Sequence, residues 1–178
     1  MIRLFAAIAI PEEIGEGLLR RQQGLPGARW RPLDALHITL RFVGEVDERK
    51  AEDLDAELAT IGGGALTLTL SGVGVFGDGP DIHAVWAGVE EAEPLKRLAS
   101  RCESAARRVR LPPDRRAWKP HVTLAYLRRT DPARVAAWLT AHNLLQSPPF
   151  RVTQFGLYSS WLGHTGSSYR LEATYPLG

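Results

Sequence analysis

The chain repeats itself, and both copies of the repeat carry the same short motif. Residues 37–40 read His-Ile-Thr-Leu, and residues 121–124, which lie 84 positions later, read His-Val-Thr-Leu. The match continues beyond the motif, with Asp47 on Asp131 and Lys50 on Arg134. A period this long is not that of a solenoid, so the two copies indicate a duplication within one domain. We therefore expect two similar lobes that bring two equivalent strands to a central cleft.

Each motif presents an imidazole and a hydroxyl on the same side of its strand. Side chains two residues apart in a strand point to the same face, so His37 and Thr39 share one face while Ile38 occupies the other. The second motif places His121 and Thr123 in the same way. A cleft between the lobes would then hold two histidines, two threonines and no carboxylate.

This set of side chains favours acid–base chemistry on a phosphate. Imidazoles titrate near neutral pH, so one can act as a general base while the other acts as a general acid. Two threonine hydroxyls can donate to the non-bridging oxygens of a phosphate held between the imidazoles. A single His-x-Thr is uninformative, because many strands contain one by chance. Two copies at equivalent positions of a repeat predict that His37 and His121 are catalytic and that Thr39 and Thr123 bind substrate.

Length and composition exclude several other classes of protein. A chain of 178 residues with 44% hydrophobic residues forms one globular domain, which we place at residues 1–178. Its one cysteine excludes an intramolecular disulfide and a cysteine-ligated zinc site, so we expect no metal and no cofactor. The longest apolar run, residues 4–10, is too short to span a bilayer and lacks a cleavage site. We expect a cytoplasmic monomer without an obligatory protein partner.

Charge is distributed unevenly along the chain. Residues 1–88 carry a net charge of −5 and residues 89–178 carry +7. Most of the excess lies between Lys96 and Arg129, and such a cluster suits a polyanion, most commonly a nucleic acid. The basic residues of the predicted helix after Pro94 are expected to form a solvated face. The loop residues beside the second motif are the stronger candidates for contacts with such a polyanion: Arg115, Arg116 and Lys119.

Strands and helices alternate in the pattern of an α+β fold. Apolar or alternating segments predict strands at residues 3–10, 36–43, 66–70, 83–89, 121–127, 150–159 and 168–175. Helices are predicted after Pro11, after Asp47, after Pro94 and after Asp131. Cys102 lies in the apolar stripe of the third helix, so we interpret it as a core residue and not as a nucleophile.

The chain resembles the 2H phosphoesterase superfamily, and within it the RNA 2′,3′-cyclic phosphodiesterases first described as 2′-5′ RNA ligases. The resemblance is carried by the two motifs and by residues 3–8, 36–47, 74–76, 86–89, 119–125 and 155–158. It implies a bilobed fold in which two pseudo-twofold-related antiparallel sheets line a central cleft, with helices outside. It also implies that His37 is the proton donor to the leaving 3′ oxygen and His121 the proton acceptor from water, which leaves a 2′-phosphate. The residues by themselves do not distinguish the donor from the acceptor.

One position departs from the family pattern. The family often continues its second motif with Ala-Arg or Ala-Lys, whereas here Ala125 is followed by Tyr126. The missing phosphate contact is expected to come from Arg128 or from Arg41 in the first motif, and Lys119 is expected to bind substrate as well. Tyr126 and its counterpart Phe42 are expected to stack a base at the cleft edge, although a core position is an equally good interpretation of Phe42.

Several functions are compatible with these features. The leading prediction is hydrolysis of RNA 2′,3′-cyclic phosphate ends to 2′-phosphate without a metal. The alternatives are phosphodiester hydrolysis of small cyclic nucleotides or 2′-5′-linked oligonucleotides, 2′-5′ RNA ligation, and a non-catalytic module that grips RNA phosphate. Turnover by the purified protein distinguishes the enzymes from the binding module.

Overall fold

The computed structural model describes residues 1–164 and 166–178, and Thr165 lies outside the described residues. The elements along the chain are β1 (Ile2–Ala9), α1 (Glu12–Leu19), β2 (Arg29–Trp30), β3 (His37–Val46), α2 (Glu48–Leu58), β4 (Leu66–Leu68), β5 (Leu70–Phe76), β6 (Ala84–Val89), α3 (Glu93–Arg108), β7 (His121–Tyr126), α4 (Pro132–His142), β8 (Phe150–Val152), β9 (Gln154–Gly163) and β10 (Gly166–Pro176).

The sheet order expresses the duplication directly. The strands run β10-β9-β1-β3-β7-β6-β5, β2 pairs with β7, and β4 pairs with β8 in a small second sheet. Strands β1 and β3 of one half correspond to β6 and β7 of the other, and α1 and α2 correspond to α3 and α4. The halves meet where Ile38 pairs with Val122. The expected α+β fold with pseudo-twofold lobes is confirmed, and its two sheets join there into one.

Equivalent aspartates begin the helices that follow the two motif strands. The Asp47 carboxylate accepts a hydrogen bond from the Lys50 backbone N–H at 2.8 Å, and the Asp131 carboxylate accepts one from the Ala133 N–H at 3.0 Å. Such caps satisfy backbone donors that the first helical turn leaves free. The repeat therefore extends from the motif strands into the starts of the following helices.

Each motif strand contains a β-bulge directly after its threonine. In β3 the register passes from Thr39–Ala7 to Arg41–Ala6, so Leu40 is the extra residue. In β7 it passes from Thr123–Trp86 to Ala125–Val85, so Leu124 is the extra residue. A bulge puts two consecutive side chains on one face and shifts the alternation beyond it. Simple alternation through the motifs, which the sequence suggested, is therefore interrupted at equivalent positions.

The helices cover the face of the sheet opposite the cleft. Ile38, Val122 and the two bulge leucines belong to one hydrophobic core with side chains from α2, α3 and α4, among them Leu58, Cys102 and Trp138. Leu40 is 2% exposed and Leu124 is fully buried. Within the described residues, none of the helices combines the length and the apolar character needed to cross a membrane.

Replacing a bulge leucine tests how strongly this core stabilises the motif strand. We expect Leu124→Ala to lower the free energy of unfolding by about 2–5 kcal/mol, because it leaves a cavity in a buried site. Leu144, which is 90% exposed, provides the matched control, and Leu144→Ala should change the stability by less than about 0.5 kcal/mol. Urea unfolding of both variants measures the difference, and equal stabilities would contradict the assigned core.

Candidate active site

The pairing of the two motif strands brings four polar side chains together on the cleft face. Because β3 and β7 are antiparallel and Ile38 lies opposite Val122, the register places His37 opposite Thr123 and Thr39 opposite His121. The two histidines are then diagonal neighbours, whose spacing across an antiparallel pair is about 7–8 Å. A diagonal pair of imidazoles flanked by two hydroxyls combines the acid, base and donor groups that displacement at a phosphate requires.

Both imidazoles are oriented by the backbone two residues before them. His121 Nδ1 lies 2.7 Å from the Lys119 carbonyl oxygen, and His37 is hydrogen-bonded to the backbone at Ala35. A carbonyl only accepts, so Nδ1 of His121 carries the proton and donates it to that oxygen. The neutral ring then has its lone pair on Nε2. This is the tautomer that a general base in the cleft requires.

Aromatic rings surround His37. Phe5 stacks on it at 4.8 Å between ring centroids, and Tyr169 contacts it edge-on at 5.0 Å. The pKa of His37 is lowered to about 4, mainly because burial against these rings removes it from water. The positive charges of Arg31 and His121 contribute to this shift, and the hydrogen bond at Ala35 opposes it. In the free protein at neutral pH, His37 is therefore an uncharged imidazole.

His121 lies in a less enclosed environment. Its ring meets Phe76 edge-on at 4.7 Å and Trp86 at 6.0 Å. Burial lowers its pKa, the hydrogen bond to the Lys119 carbonyl opposes that shift, and the Lys119 charge adds to it. The Lys119 ammonium lies 4.6 Å from the centre of the Trp86 ring, so the predicted basic contact does lie beside the second motif.

The bulge after Thr39 changes the expected position of Arg41. Arg41 shares the face of Ala6 and not that of Thr39, and it is 7% exposed. Its guanidinium is bound to the Glu103 carboxylate and to the carbonyl oxygens of Phe42 and Pro112. Arg41 therefore stabilises the packing of β3 against α3 and does not reach the cleft, which corrects its expected role as a substrate contact.

The same bulges return Phe42 and Tyr126 to the cleft face. Phe42 pairs with Phe5 and is half-buried, with the guanidinium of Arg3 lying 5.4 Å and that of Arg116 lying 5.9 Å from its ring centre. Tyr126 pairs with Ala84 and is 37% exposed. Both positions suit the predicted stacking of a base, which stays a prediction.

Arg128 lies in the exposed segment after β7, so strand alternation does not position it. Arg115 and Arg116 are exposed in the loop before β7, where Arg116 pairs with Asp114 at 3.3 Å. The role of Arg128 as a substrate contact and that of Arg115 as an RNA contact also stay predictions.

Sequence reasoning missed Arg31, Tyr158 and Tyr169. The two tyrosines come from β9 and β10, which are distant from the motifs in sequence. Arg31 is 7% exposed, and its guanidinium lies over the rings of Tyr126 and Tyr169. One signal was available, because Arg31 and Arg115 each precede a motif histidine by six residues.

The remaining titratable candidates lie away from the cleft centre. His83 is exposed just before β6, and His142 ends α4, where partial burial lowers its pKa. Cys102 is fully buried, which raises the pKa of its thiol to about 12 and confirms its place in the core. Among residues 1–164 and 166–178, no group of three or more histidines, cysteines and carboxylates could hold a metal ion.

Two cavities flank the motif strands. One, of about 430 Å³, lies on the His37 side and includes Arg31, Tyr126 and Tyr169. The other, also of about 430 Å³, includes Trp118 and Lys119 on the His121 side. The indole N–H of Trp118 donates to the Thr39 carbonyl oxygen at 3.0 Å, which ties the loop before the second motif to the first motif strand. Open space therefore lies on both sides of the paired motif strands.

The chain is similar to proteins of known activity. Residues 11–161 match the family profile described as the 2′-5′ RNA ligase superfamily. The RNA 2′,3′-cyclic phosphodiesterase of Escherichia coli is 33% identical over 167 residues, which cover 89% of this chain and 86% of that protein. The RNA 2′,3′-cyclic phosphodiesterase of Archaeoglobus fulgidus is 28% identical over 172 residues, which cover 95% and 97%.

Solved structures show the same fold. The crystal structure of E. coli LigT complexed with 3′-AMP superimposes with a TM-score of 0.81 at 30% identity and covers 99% of this chain and 98% of that one. TT0787 of Thermus thermophilus superimposes with a TM-score of 0.83 at 27% identity, with the same coverage. The likeness thus extends over nearly the entire chain.

Burial of His37 predicts a pH dependence of stability. The unfolded chain binds a proton to this residue near pH 6.5 and the folded protein only near pH 4, so the free energy of unfolding should fall as the pH is lowered between these values. His37→Gln removes this contribution. Urea unfolding from pH 7.5 to 4 should therefore show a smaller loss in His37→Gln than in the wild type, whereas the exposed His83→Gln control should match the wild type. Identical losses in all three proteins would contradict the assigned environment of His37.

Proposed function

The chain belongs to the 2′-5′ RNA ligase superfamily, and from that premise we propose that it hydrolyses RNA 2′,3′-cyclic phosphate ends to 2′-phosphates without a metal. The observation that carries the proposal is the diagonal arrangement of His37 and His121 with Thr39 and Thr123 on two paired strands. The names of the E. coli and A. fulgidus relatives indicate the same substrate class. Cytoplasmic location, a monomeric state and the single-domain boundary at residues 1–178 remain predictions.

The reaction is an in-line displacement at phosphorus. Nε2 of His121 removes a proton from a water molecule as the water oxygen forms a bond to phosphorus. The bond between phosphorus and the 3′ oxygen breaks on the opposite side, and His37 gives a proton to that oxygen. The product carries a 2′-phosphate and a free 3′-hydroxyl. The two imidazoles end with exchanged protonation states, which solvent restores before the next cycle.

His37 must be protonated to serve as the acid, although burial holds it neutral in the free protein. Binding of the cyclic phosphate raises the pKa of His37, because its negative charge beside the ring favours the imidazolium form. An imidazolium whose pKa is low without substrate transfers its proton readily once negative charge moves from the phosphate to the leaving oxygen. His37 therefore becomes protonated, and able to act as the acid, only when the substrate binds.

Thr39 and Thr123 hold the phosphate during the displacement. Each hydroxyl lies opposite the histidine of the other half, so each half contributes one acid–base group and one donor. Hydrogen bonds to non-bridging oxygens strengthen as charge develops on them, particularly in a site partly shielded from water. Lys119 adds positive charge beside His121 and favours binding of an anionic substrate.

Replacing either histidine should abolish most turnover. We expect His37→Ala and His121→Ala each to lower kcat by about 10²–10⁴-fold on a nucleoside 2′,3′-cyclic phosphate, because each removes a general acid or base. Thr123→Val should cost about 10²-fold through loss of one phosphate donor. The matched control is His83→Ala at an exposed site, which should retain the wild-type rate. The assays contain EDTA, because the proposed reaction needs no metal. A rate of His121→Ala near that of the wild type would overturn the mechanism.

The lowered pKa values of the two histidines predict that the alkaline limb of the kcat profile lies at higher pH than that of the kcat/KM profile. The profile of kcat/KM reports the free enzyme, in which both imidazoles titrate below 6.5, so its alkaline limb should lie below pH 6.5. The profile of kcat reports the complex, in which the phosphate raises the pKa of His37, so its alkaline limb should lie higher. The limbs belong to the coupled pair and not to one residue. Coincident alkaline limbs for kcat and kcat/KM would contradict activation of His37 by substrate.

A further inference from the structure

Arg31 is a buried cation that forms no ion pair with the described residues. Arg31 and Arg41 are equally buried, each being 7% exposed. The guanidinium of Arg41 is bound to the Glu103 carboxylate. In the described part of the chain, no carboxylate lies within 4 Å of the Arg31 guanidinium. Withdrawal of a charge from water is costly unless the charge is paired, so this site is incomplete without an anion.

The guanidinium of Arg31 is nevertheless held in place. Its Nη2 donates to the Ser167 carbonyl oxygen at 3.0 Å, and its Cζ lies 5.6 Å from the ring centre of Tyr126 and 5.3 Å from that of Tyr169. Its backbone N–H donates to the carbonyl oxygen of the bulge residue Leu124 at 2.8 Å. Contacts with two aromatic faces offset only part of the desolvation. These contacts hold the guanidinium in place, and its remaining N–H groups donate to no carboxylate of the described residues.

These donors belong to the cavity of about 430 Å³ on the His37 side. Its lining combines cations, phenols, hydroxyls and an indole: Arg29, Arg31, Tyr126, Tyr169, Ser167 and Trp30. One carboxylate, that of Asp34, also lines the cavity, but it forms no ion pair with Arg31. The cavity adjoins the acid, because Ala35 lines it and the Tyr169 ring contacts His37 edge-on at 5.0 Å. Guanidinium groups together with aromatic and hydroxyl groups are the chemistry that recognises phosphate next to a ribose or base.

The orientation of the substrate in the proposed reaction indicates which phosphate the Arg31 cavity would bind. His37 gives its proton to the 3′ oxygen, so the ribose of the terminal nucleotide lies on the His37 side of the reacting phosphorus. From that ribose the RNA continues through its 5′ oxygen to the preceding phosphodiester. We propose that the Arg31 cavity binds this phosphodiester, so that the protein selects an RNA end over a free mononucleoside cyclic phosphate. The inference rests on the proposed function.

The experiment compares two substrates that share the reacting cyclic nucleotide and differ in their 5′ extension. One is a nucleoside 2′,3′-cyclic phosphate, and the other is a dinucleotide that ends in the same cyclic nucleotide and so adds one 5′ phosphodiester and the nucleoside beyond it. The wild type should have the higher kcat/KM on the dinucleotide. Arg31→Met, which keeps the length of the side chain and removes its charge, should lower the dinucleotide-to-mononucleoside ratio of kcat/KM by about 10- to 100-fold, the value of a charged hydrogen bond.

The ratio reports binding of the 5′ extension, and its loss on removal of the Arg31 charge identifies the anionic phosphodiester as the group that Arg31 binds. Loss of the Arg31 charge also raises the pKa of His37, but that change affects both substrates alike and cancels. Arg31→Lys should restore part of the ratio, and Arg134→Met, at an exposed position of α4, should leave it unchanged. Circular dichroism of each variant confirms that it is folded.

The outcomes separate this inference from the function on which it rests. Turnover of neither substrate by the wild type would overturn the proposed function. Turnover of both substrates without preference, or an equal loss on both in Arg31→Met, would leave the proposed function intact and overturn the inference, because Arg31 would then act on the reacting phosphate or on His37 itself.

Discussion

The site depends on one backbone pairing, that of Ile38 with Val122 at the junction of the two halves. Both residues are fully buried, so the hydrophobic core fixes the register of β3 against β7. A slip of one residue would turn one of the two motifs away from the other, because side chains alternate along a strand. The apolar residues of the two motifs thus determine where the polar ones lie. Burial of one face is what places two imidazoles and two hydroxyls around a single point on the other.

Burial also sets the chemistry of the imidazoles. Phe5, Tyr158 and Tyr169 surround His37 and remove it from water, so the ring is neutral until an anion arrives. A histidine in water would be partly protonated at neutral pH regardless of substrate. Here the acid forms only when the phosphate is bound. The two halves are equivalent in sequence motif, yet the deeper burial of His37 distinguishes the two histidines and is consistent with separate roles for them.

The sequence predicted all four helices and most of the strands, because periodicity depends on local spacing, but it did not predict β2 or most of β5. The duplication pointed to the four central side chains, whose roles stay predictions. The sequence also did not predict the bulges at Leu40 and Leu124, since a bulge is a relation between two strands and both leucines fit simple alternation. Because the bulge at Leu40 was not predicted, Arg41 was placed on the cleft face. In the structure the bulge places it against α3. Arg31 and Tyr169 were missed for a related reason. They reach the site through the long-range pairing of β2 with β7 and of β10 with β9.

The most direct test of the account is an NMR titration of the His37 and His121 ring protons, with and without a nucleoside 2′-phosphate, the product of the proposed reaction. Resonances are assigned with His37→Gln and His121→Gln. Without the nucleotide, both rings should titrate below pH 6.5, with His37 near pH 4. With the nucleotide bound between the rings, the pKa of each should rise, most strongly at His37. A ring of His37 that titrates near pH 6.5 in the free protein, or that is unchanged by saturating nucleotide, would contradict the account.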